Sequence, residues 1–543
     1  MTKLPARSRR AGPARWRLVD ALACVAAALT AAPAHADDET ARAERLYADR
    51  CAVCHGADRG GLIAPALNRD DTRLTAAQVG VRILAGSATT LMPPHPTWNR
   101  TLSGRDRDRI ARLVTTQPRS SPTWTIDDIR RSLTVRVADE SRLPARPACP
   151  IADIADLMTV MVRGRHAAGD AARVVFVDGR THRTVGEVRT GRAPHLMDHH
   201  PRDPRWAYVR DDMGWVHKID LYSLQTVRKV RAGLNGASLA VSRDGRFVAA
   251  GSYVPHALVI VDAATLEPLK LLPLRSTGAD GRPLESDAGM LLATPFADVF
   301  VVALEQAGQV WIVDLGPPDF PVTVIDGVGR HLHDGFVSAD GRQVVVASYD
   351  DDIVAVIDLA EKRLVQRIQA GCQPHVGSGA VVLSRGRMLG IVTNIGSRPC
   401  TPHEVTAFDM KSFEVVKRIP VIGPTESPAA HPDAPYIVGT GPNADKIQFI
   451  DKQTLEVVRT ITVPGSFGHS HFPEYTARGD FIYVSSRSGG DRSLSRDSGR
   501  VAIYDARTLA LVREIPLQVP AGVFSHLRSR AVVVGLQPEA GKR

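Results

Sequence analysis

Beyond residue 150 the chain alternates short β-branched runs with polar turns, and one pattern returns eight times: an apolar run closed by aspartate. The runs are VVFVD ending at Asp178, VHKID at Asp220, VIVD at Asp262, VWIVD at Asp314, VAVID at Asp358, VTAFD at Asp409, IQFID at Asp451 and VAIYD at Asp505. Successive aspartates are 42, 42, 52, 44, 51, 42 and 54 residues apart, near the period of a four-stranded propeller blade. The pattern predicts an all-β eight-bladed propeller. The run ADLMTVMVRG, upstream of the first repeat, reads as a strand that pairs with the last blade and closes the ring.

Before residue 120 the period changes. ETARAERLYADR, LTAAQVGVRILAG and GRDRDRIARLV carry apolar residues at helical spacing, which predicts a small all-α domain over 37–120. The Pro- and Ser-rich QPRSSPTW marks a boundary. A polar connector containing WTIDDIRRSLTVRV follows over 121–150, and the propeller takes 151–543. The chain is multidomain.

Residues 1–36 stand apart. Lys3, Arg7, Arg9, Arg10, Arg15 and Arg17 precede an apolar run from Ala21 to Ala32 and the small-residue site Ala34-His35-Ala36. This is the form of a secretory signal peptide cleaved after Ala36, and the run is too short to span a membrane. Ser8-Arg9-Arg10 lacks the apolar residues a twin-arginine signal needs, and Cys24 has a poor lipobox around it. The segment carries six positive charges and one negative, so half of the formal +10 leaves with it. No basic stripe with interleaved aromatics remains, which argues against nucleic acid as a partner.

Cys51-Ala52-Val53-Cys54-His55 has the spacing of c-type haem attachment, with two thiols for thioether bonds and His55 as an axial ligand to iron. Pro65-Ala66-Leu67 follows as in small cytochromes c, and Leu91-Met92-Pro93-Pro94 supplies Met92 as the sixth ligand, with His95 as its competitor. A six-coordinate haem c relays electrons and does no substrate chemistry. Covalent attachment follows export, which with the signal peptide implies the periplasm and an electron acceptor there. Of the other cysteines, Cys372 and Cys400 are candidates for a disulfide in an exported protein, leaving Cys149 odd.

Histidines share the phase of the repeat. His195, His333, His375, His469 and His471 follow their aspartates by 17, 19, 17, 18 and 20 residues, so all belong to one end of the ring. His195 follows repeat 1 and His375 repeat 5, half a ring apart, with His333 beside His375. A planar macrocycle across the channel mouth would take His195 to its iron on one face and meet His333 and His375 on the other. Arg163, Arg192 and Arg210 are candidates to hold its carboxylates. His199 and His200 are out of phase and expected to face solvent, while His431, before Pro432, fits a pocket or a turn equally.

CAVCH followed by a propeller with GRAPHLMD around His195, HLHDG around His333 and QPHVGSG around His375 resembles the cd1-type nitrite reductase family over essentially the whole mature chain. The resemblance implies that His195 ligates haem d1 iron, that His333 and His375 form a distal pair, and that Arg163 in VMVRG and Arg210 in VRDD bind propionates. The family has two chemistries, nitrite reduction to nitric oxide and oxidation of a propionate of dihydro-haem d1 to acrylate with electrons passing to haem c. GRHLHDGF, ASYDDD, AGCQPHVGSGAV, TNIG, GPTESPAAHP and PAGVFSH resemble the second, biosynthetic branch. Its partners would be dihydro-haem d1, an electron acceptor and, as a candidate, the cd1 nitrite reductase. Removing a proton from carbon needs a base over the side chain. His469 or His471 of GHSHFPEY is proposed for it, oriented by Glu474 or Tyr475. A non-catalytic haem d1 carrier is a third possibility, disfavoured by the haem c motif.

Overall fold

The computed structural model describes residues 32–61, 64–85, 102–163, 172–236, 238–278, 281–377, 379–396, 400, 402–441, 446–462, 470–486 and 499–526. The chain divides into two compact units near Arg119, with Gly56–Asp58 counted in the second.

The first unit is helical: Ala32–Arg50, the short Ala52–His55, Ala76–Ala85 and Gly104–Thr116. The first helix starts at Ala32, so it runs through the expected cleavage position after Ala36. It packs on the last helix through Ala43 and Tyr47 against Ile110, Leu113 and Val114, all buried. Asp106 fastens the pair, 2.9 Å from Arg42 Nε and 2.8 Å from Arg109 Nη1. Arg42 foremost holds its carboxyl well below the usual carboxylate range. Ser103 caps the last helix by accepting from the Asp106 amide.

The second unit holds eight four-stranded antiparallel sheets, the blades of the propeller. Blade 1 is composite: Pro520–Ser525 pairs with Leu157–Val162, which continues to Arg173–Asp178 and Thr184–Arg189. The strand read from ADLMTVMVRG thus closes the ring with the last strand described. Blades 2 to 8 follow in chain order.

Each repeated aspartate ends the third strand of its blade. Its carboxylate accepts backbone amides two or three residues on, as Asp178 does from Arg180, Asp358 from Ala360 and Glu361, and Asp505 from Arg507 and Thr508. This is the Asx turn, for which Asp is suited because its short side chain reaches its own following backbone. In seven blades the fourth residue on then takes a left-handed φ: His182, Leu224, Leu266, Lys362, Phe413, Leu455 and Leu509. The repeat is therefore a turn signature, and the apolar residues before it are the buried third strands. The long spacing from Asp262 to Asp314 holds an extra hairpin, Arg275–Thr277 with Pro283–Glu285.

The connector differs from its expected form. Ile126–Ser132 is a helix with a Thr125–Asp128 capping box, and Thr134–Val135 adds a fifth strand to the outer edge of blade 2. Ile129, fully buried, packs with Tyr208, Val230 and Leu266, and Trp124 Nε1 donates to the Arg231 carbonyl at 2.9 Å. Glu140 adds ion pairs to Lys218 at 2.8 Å and Arg228 at 2.9 Å, so an otherwise polar segment is docked by a few separate contacts.

Cys372 and Cys400 are bonded, joining the entry of blade 6 to the loop between its second and third strands, with Cα atoms 6.0 Å apart. The loop closed is 28 residues. Replacing both by serine is expected to lower unfolding free energy by about 2–4 kcal/mol, read from urea denaturation. No effect of reductant on the wild-type midpoint would contradict this. Among the described residues no helix is long and apolar enough to cross a membrane.

Candidate functional site

Two sites emerge, one in each unit. In the helical unit, buried Cys51 immediately precedes the one-turn helix Ala52–His55, and half-buried Cys54 lies within it. Tyr47 Oη donates to the His55 carbonyl at 3.2 Å. His55 Nδ1 lies 2.6 Å from the Pro65 carbonyl, which can only accept, so Nδ1 carries the proton and Nε2 keeps its lone pair. Burial pulls the His55 pKa down and keeps the ring neutral. Two thiols and a neutral, oriented imidazole fit a covalently attached haem. Met92 and His95 lie outside the described residues.

In the propeller, the histidines sit where innermost strands begin. His195 is second in Pro194–His199 of blade 2, His333 second in Leu332–Val337 of blade 5, and His471 second in Ser470–Tyr475 of blade 8. In all three strands the pairing register slips at this point. A bulge there re-aims one side chain out of the pleat. The residue after His333 and after His471 takes a left-handed φ, Asp334 at 54° and Phe472 at 51°. His375 occupies the corresponding entry of blade 6, before Ala380–Ser384.

His195 and His333 line one cavity open to solvent, together with Tyr253, Asp334 and three glycines, Gly289, Gly335 and Gly377. A Cβ at Gly335 would stand 2.2 Å from Met290 Sδ, so the backbone itself forms that wall. Arg163 Nη2 donates to His195 Nδ1. Beside His333, the Asp334 carboxylate bridges two imidazoles, Oδ1 3.4 Å from His333 Nδ1 and Oδ2 3.1 Å from His375 Nδ1. Tyr349 Oη is 2.9 Å from His333 Nδ1, and its ring stacks on both histidines.

Arg210 lies behind the cavity wall and is fully buried. Its Nη1 donates to the carbonyls of Ser238, at 2.9 Å, and Gly251. Among the described residues its Nε and Nη2 have no hydrogen-bond partner, and burial lowers its pKa to about 10, which still leaves it charged at neutral pH. A buried cation with spare donors suits a ligand bearing carboxylates. Arg163 also keeps a buried Nε without partner. Arg192 is half-buried in the turn before Pro194–His199.

Several expectations are corrected. His199 does not face solvent: it is fully buried at the far end of its strand, edge-on to His526 at 5.0 Å. His200 is half-buried and accepts from the Asp203 amide at 2.9 Å. A six-residue innermost strand runs through the ring, so residues four or five beyond the mouth lie in the opposite wall. His431 belongs to a turn, where Nδ1 accepts from the Asp433 amide. Tyr475 cannot orient a base at the mouth, because its hydroxyl donates to the Tyr436 carbonyl at 2.8 Å in the core of blades 7 and 8. Glu474 Oε1 accepts from the Tyr475 amide, likewise away from the strand's entry. His469 lies outside the described residues, and for His471 only the strand position is described.

Sequence reasoning missed Glu305 and Tyr349. Glu305 begins the turn after Val299–Leu304 of blade 4, almost buried, with its Oε1 3.9 Å from His333 Nε2. Burial, partly countered by His333, raises its pKa to about 7. A carboxyl raised in the fold stabilises it below the unfolded pKa, and that stability is lost as pH rises through 7. Glu305→Gln is therefore expected to gain stability over wild type between pH 5 and 8, by up to about 3 kcal/mol. Parallel thermal-melt curves against pH would contradict it.

Residues 152–529 match the family described as cytochrome D1 heme domain, and residues 38–114 match cytochrome C oxidase, cbb3-type, subunit III. A dihydro-heme d1 dehydrogenase of Pseudomonas aeruginosa is 31% identical over 89% of this chain and 93% of its own length. Protein NirF of Stutzerimonas stutzeri is 29% identical over 62% of this chain and 83% of its own. A nitrite reductase of Stutzerimonas stutzeri is 24% identical over 92% and 95%. The solved structure of dihydro-heme d1 dehydrogenase NirN in complex with DHE superposes with a TM-score of 0.71 at 30% identity, covering 90% of this chain and 100% of that one. The chain thus belongs to the cytochrome d1 haem-domain family, which unites such dehydrogenases and nitrite reductases by sequence, and it is an oxidoreductase.

Proposed function

We propose that the protein is a periplasmic dihydro-haem d1 dehydrogenase, acting late in haem d1 biosynthesis. It oxidises a propionate side chain of its substrate to acrylate. One observation carries this: a cavity with His195 on one wall and His333 on another, backed by the buried Arg210, in a chain 31% identical to such a dehydrogenase over most of its length.

The substrate's iron is taken by His195 through Nε2. A neutral imidazole ligating through Nε2 carries its proton on Nδ1 and cannot also accept from Arg163. Arg163 is therefore released from His195 and, with Arg210 behind the wall, is available to a substrate carboxylate. The oxidised –CH2–CH2– becomes –CH=CH– with loss of two protons and two electrons. His471, at the entry of blade 8, or His469, two residues before it in the sequence, takes one proton as base. Cys51, Cys54 and His55 would hold a haem c, which when bound would supply one-electron redox chemistry as the outlet for the two electrons toward a periplasmic acceptor.

One feature favours cd1-type nitrite reductase as the second reading, namely the His333–Asp334–His375 group, which could supply protons to bound nitrite. A nitrite assay on the purified protein loaded with haem d1 separates the two. The proposal expects no sustained turnover and release of the tetrapyrrole. Rapid turnover with d1 permanently held would overturn it.

A further inference from the structure

The carboxylates and imidazoles at the cavity form a longer row than the distal pair alone. Glu426 Oε1 lies 3.7 Å from His375 Nε2, His375 Nδ1 lies 3.1 Å from Asp334 Oδ2, and Asp334 Oδ1 lies 3.4 Å from His333 Nδ1. The row goes on from His333 Nε2 to Glu305 Oε1 at 3.9 Å, and from Glu305 Oε2 to His331 Nε2 at 3.9 Å. Acid and imidazole alternate throughout, contributed by blades 4, 5, 6 and 7.

Exposure is graded along it. The side chains of His375, Asp334 and Glu426 are under a tenth exposed and Glu305 is 12% exposed, whereas His331 reaches 47%. One end is dry, the middle member His333 lines the cavity, and the other end is in water. The two 3.9 Å steps exceed a hydrogen bond, and a rotation of the Glu305 side chain or one bridging water closes each.

The geometry points to Glu305 and His331 as the proton outlet of the cavity, with Glu305 a positioning residue that takes a proton from His333 and hands it through His331 to bulk water. This rests on the proposed dehydrogenation. Of the two protons lost with two electrons to the haem-class oxidant, one goes to the blade 8 base. The other is received by His333 as imidazolium, moves to the Glu305 carboxylate as a carboxylic acid, and leaves from His331. Glu305 is suited because burial poises it near neutrality, where it can both accept and release. A carboxylate serving only as an ion-pair partner would instead be held low. The groups facing it are His333, His331 and Asp334 from blade 5, Asp287 and Gln306 from blade 4, and Tyr253 and His256 from blade 3, the last meeting Asp287 at 2.8 Å.

Full-length wild type, Glu305→Gln, Glu305→Asp and His331→Gln proteins test this in two ways. Infrared titration of the substrate-free chains should show a carboxylic acid band disappearing with a midpoint near pH 7, absent in Glu305→Gln and retained in Glu305→Asp. With dihydro-haem d1, Glu305→Gln should slow oxidation about tenfold or more with unchanged KM and lose the limb of the pH profile near neutrality. Glu305→Asp should restore it and His331→Gln should slow it partially. The outlet is overturned if no such band depends on Glu305, or if Glu305→Gln leaves rate and pH profile unchanged. Should wild type fail to oxidise dihydro-haem d1 while the band titrates as expected, the dehydrogenase reading falls and the buried proton acceptor stands.

Discussion

His195→Ala is expected to weaken binding of an iron tetrapyrrole by about 100-fold or more, since loss of even a supporting group at a metal ligand costs 10–100-fold. His195 shares one cavity with His333 and is delivered by a bulge at the second residue of its strand, so no neighbouring side chain can replace it. Stability should change by less than about 1 kcal/mol, because the ring is only half-buried and packs in no core cluster. The measurement is an anaerobic optical titration of wild type and variant. Added imidazole should restore the wild-type spectrum in the variant by filling the space left. Unchanged affinity and spectrum would mean that the ligand is elsewhere, and His333 would then be the residue to replace.

The second large effect follows from the other unit. Replacing Cys51 and Cys54 together by alanine removes both anchors for haem c. The propeller is a separate compact unit with its own core clusters and should keep its fold. Substrate affinity should be that of wild type, and oxidation should be lost, since the two electrons then have no acceptor within the protein. A soluble one-electron oxidant should recover part of it. Tight binding with undiminished oxidation would show that haem c plays no part.

Much of the architecture could be read in the sequence because one physical device repeats. Asp at the end of each third strand is needed to accept the amides of the turn, and the buried strand before it must be apolar and β-branched. The phase of His195, His333 and His375 is legible for the same reason, as each lies at or just before the start of an innermost strand, 17 to 19 residues beyond its aspartate. What escaped depended on contacts between blades. Nothing in EQAGQ marks Glu305 as buried; that follows from its place against Gly289 and the blade 5 entry. Tyr349 sits in an ordinary hairpin turn and matters only because two histidines stack on it. His199 and Tyr475 were misplaced because strand length, which the sequence leaves loose, decides which end of the ring a residue reaches. The connector reads as a plain polar linker because its docking rests on a few scattered contacts, Ile129 and Trp124 among them, that make no periodic pattern.

The most direct test of the account is an anaerobic single turnover of the oxidised holoprotein with dihydro-haem d1, following haem c reduction optically and the tetrapyrrole by mass. With a soluble one-electron acceptor added, the account predicts loss of two hydrogens from the tetrapyrrole and two electrons delivered per substrate, one found on haem c and the other on the added acceptor. A tetrapyrrole bound at His195 but recovered with its mass unchanged, and haem c still oxidised, would contradict it.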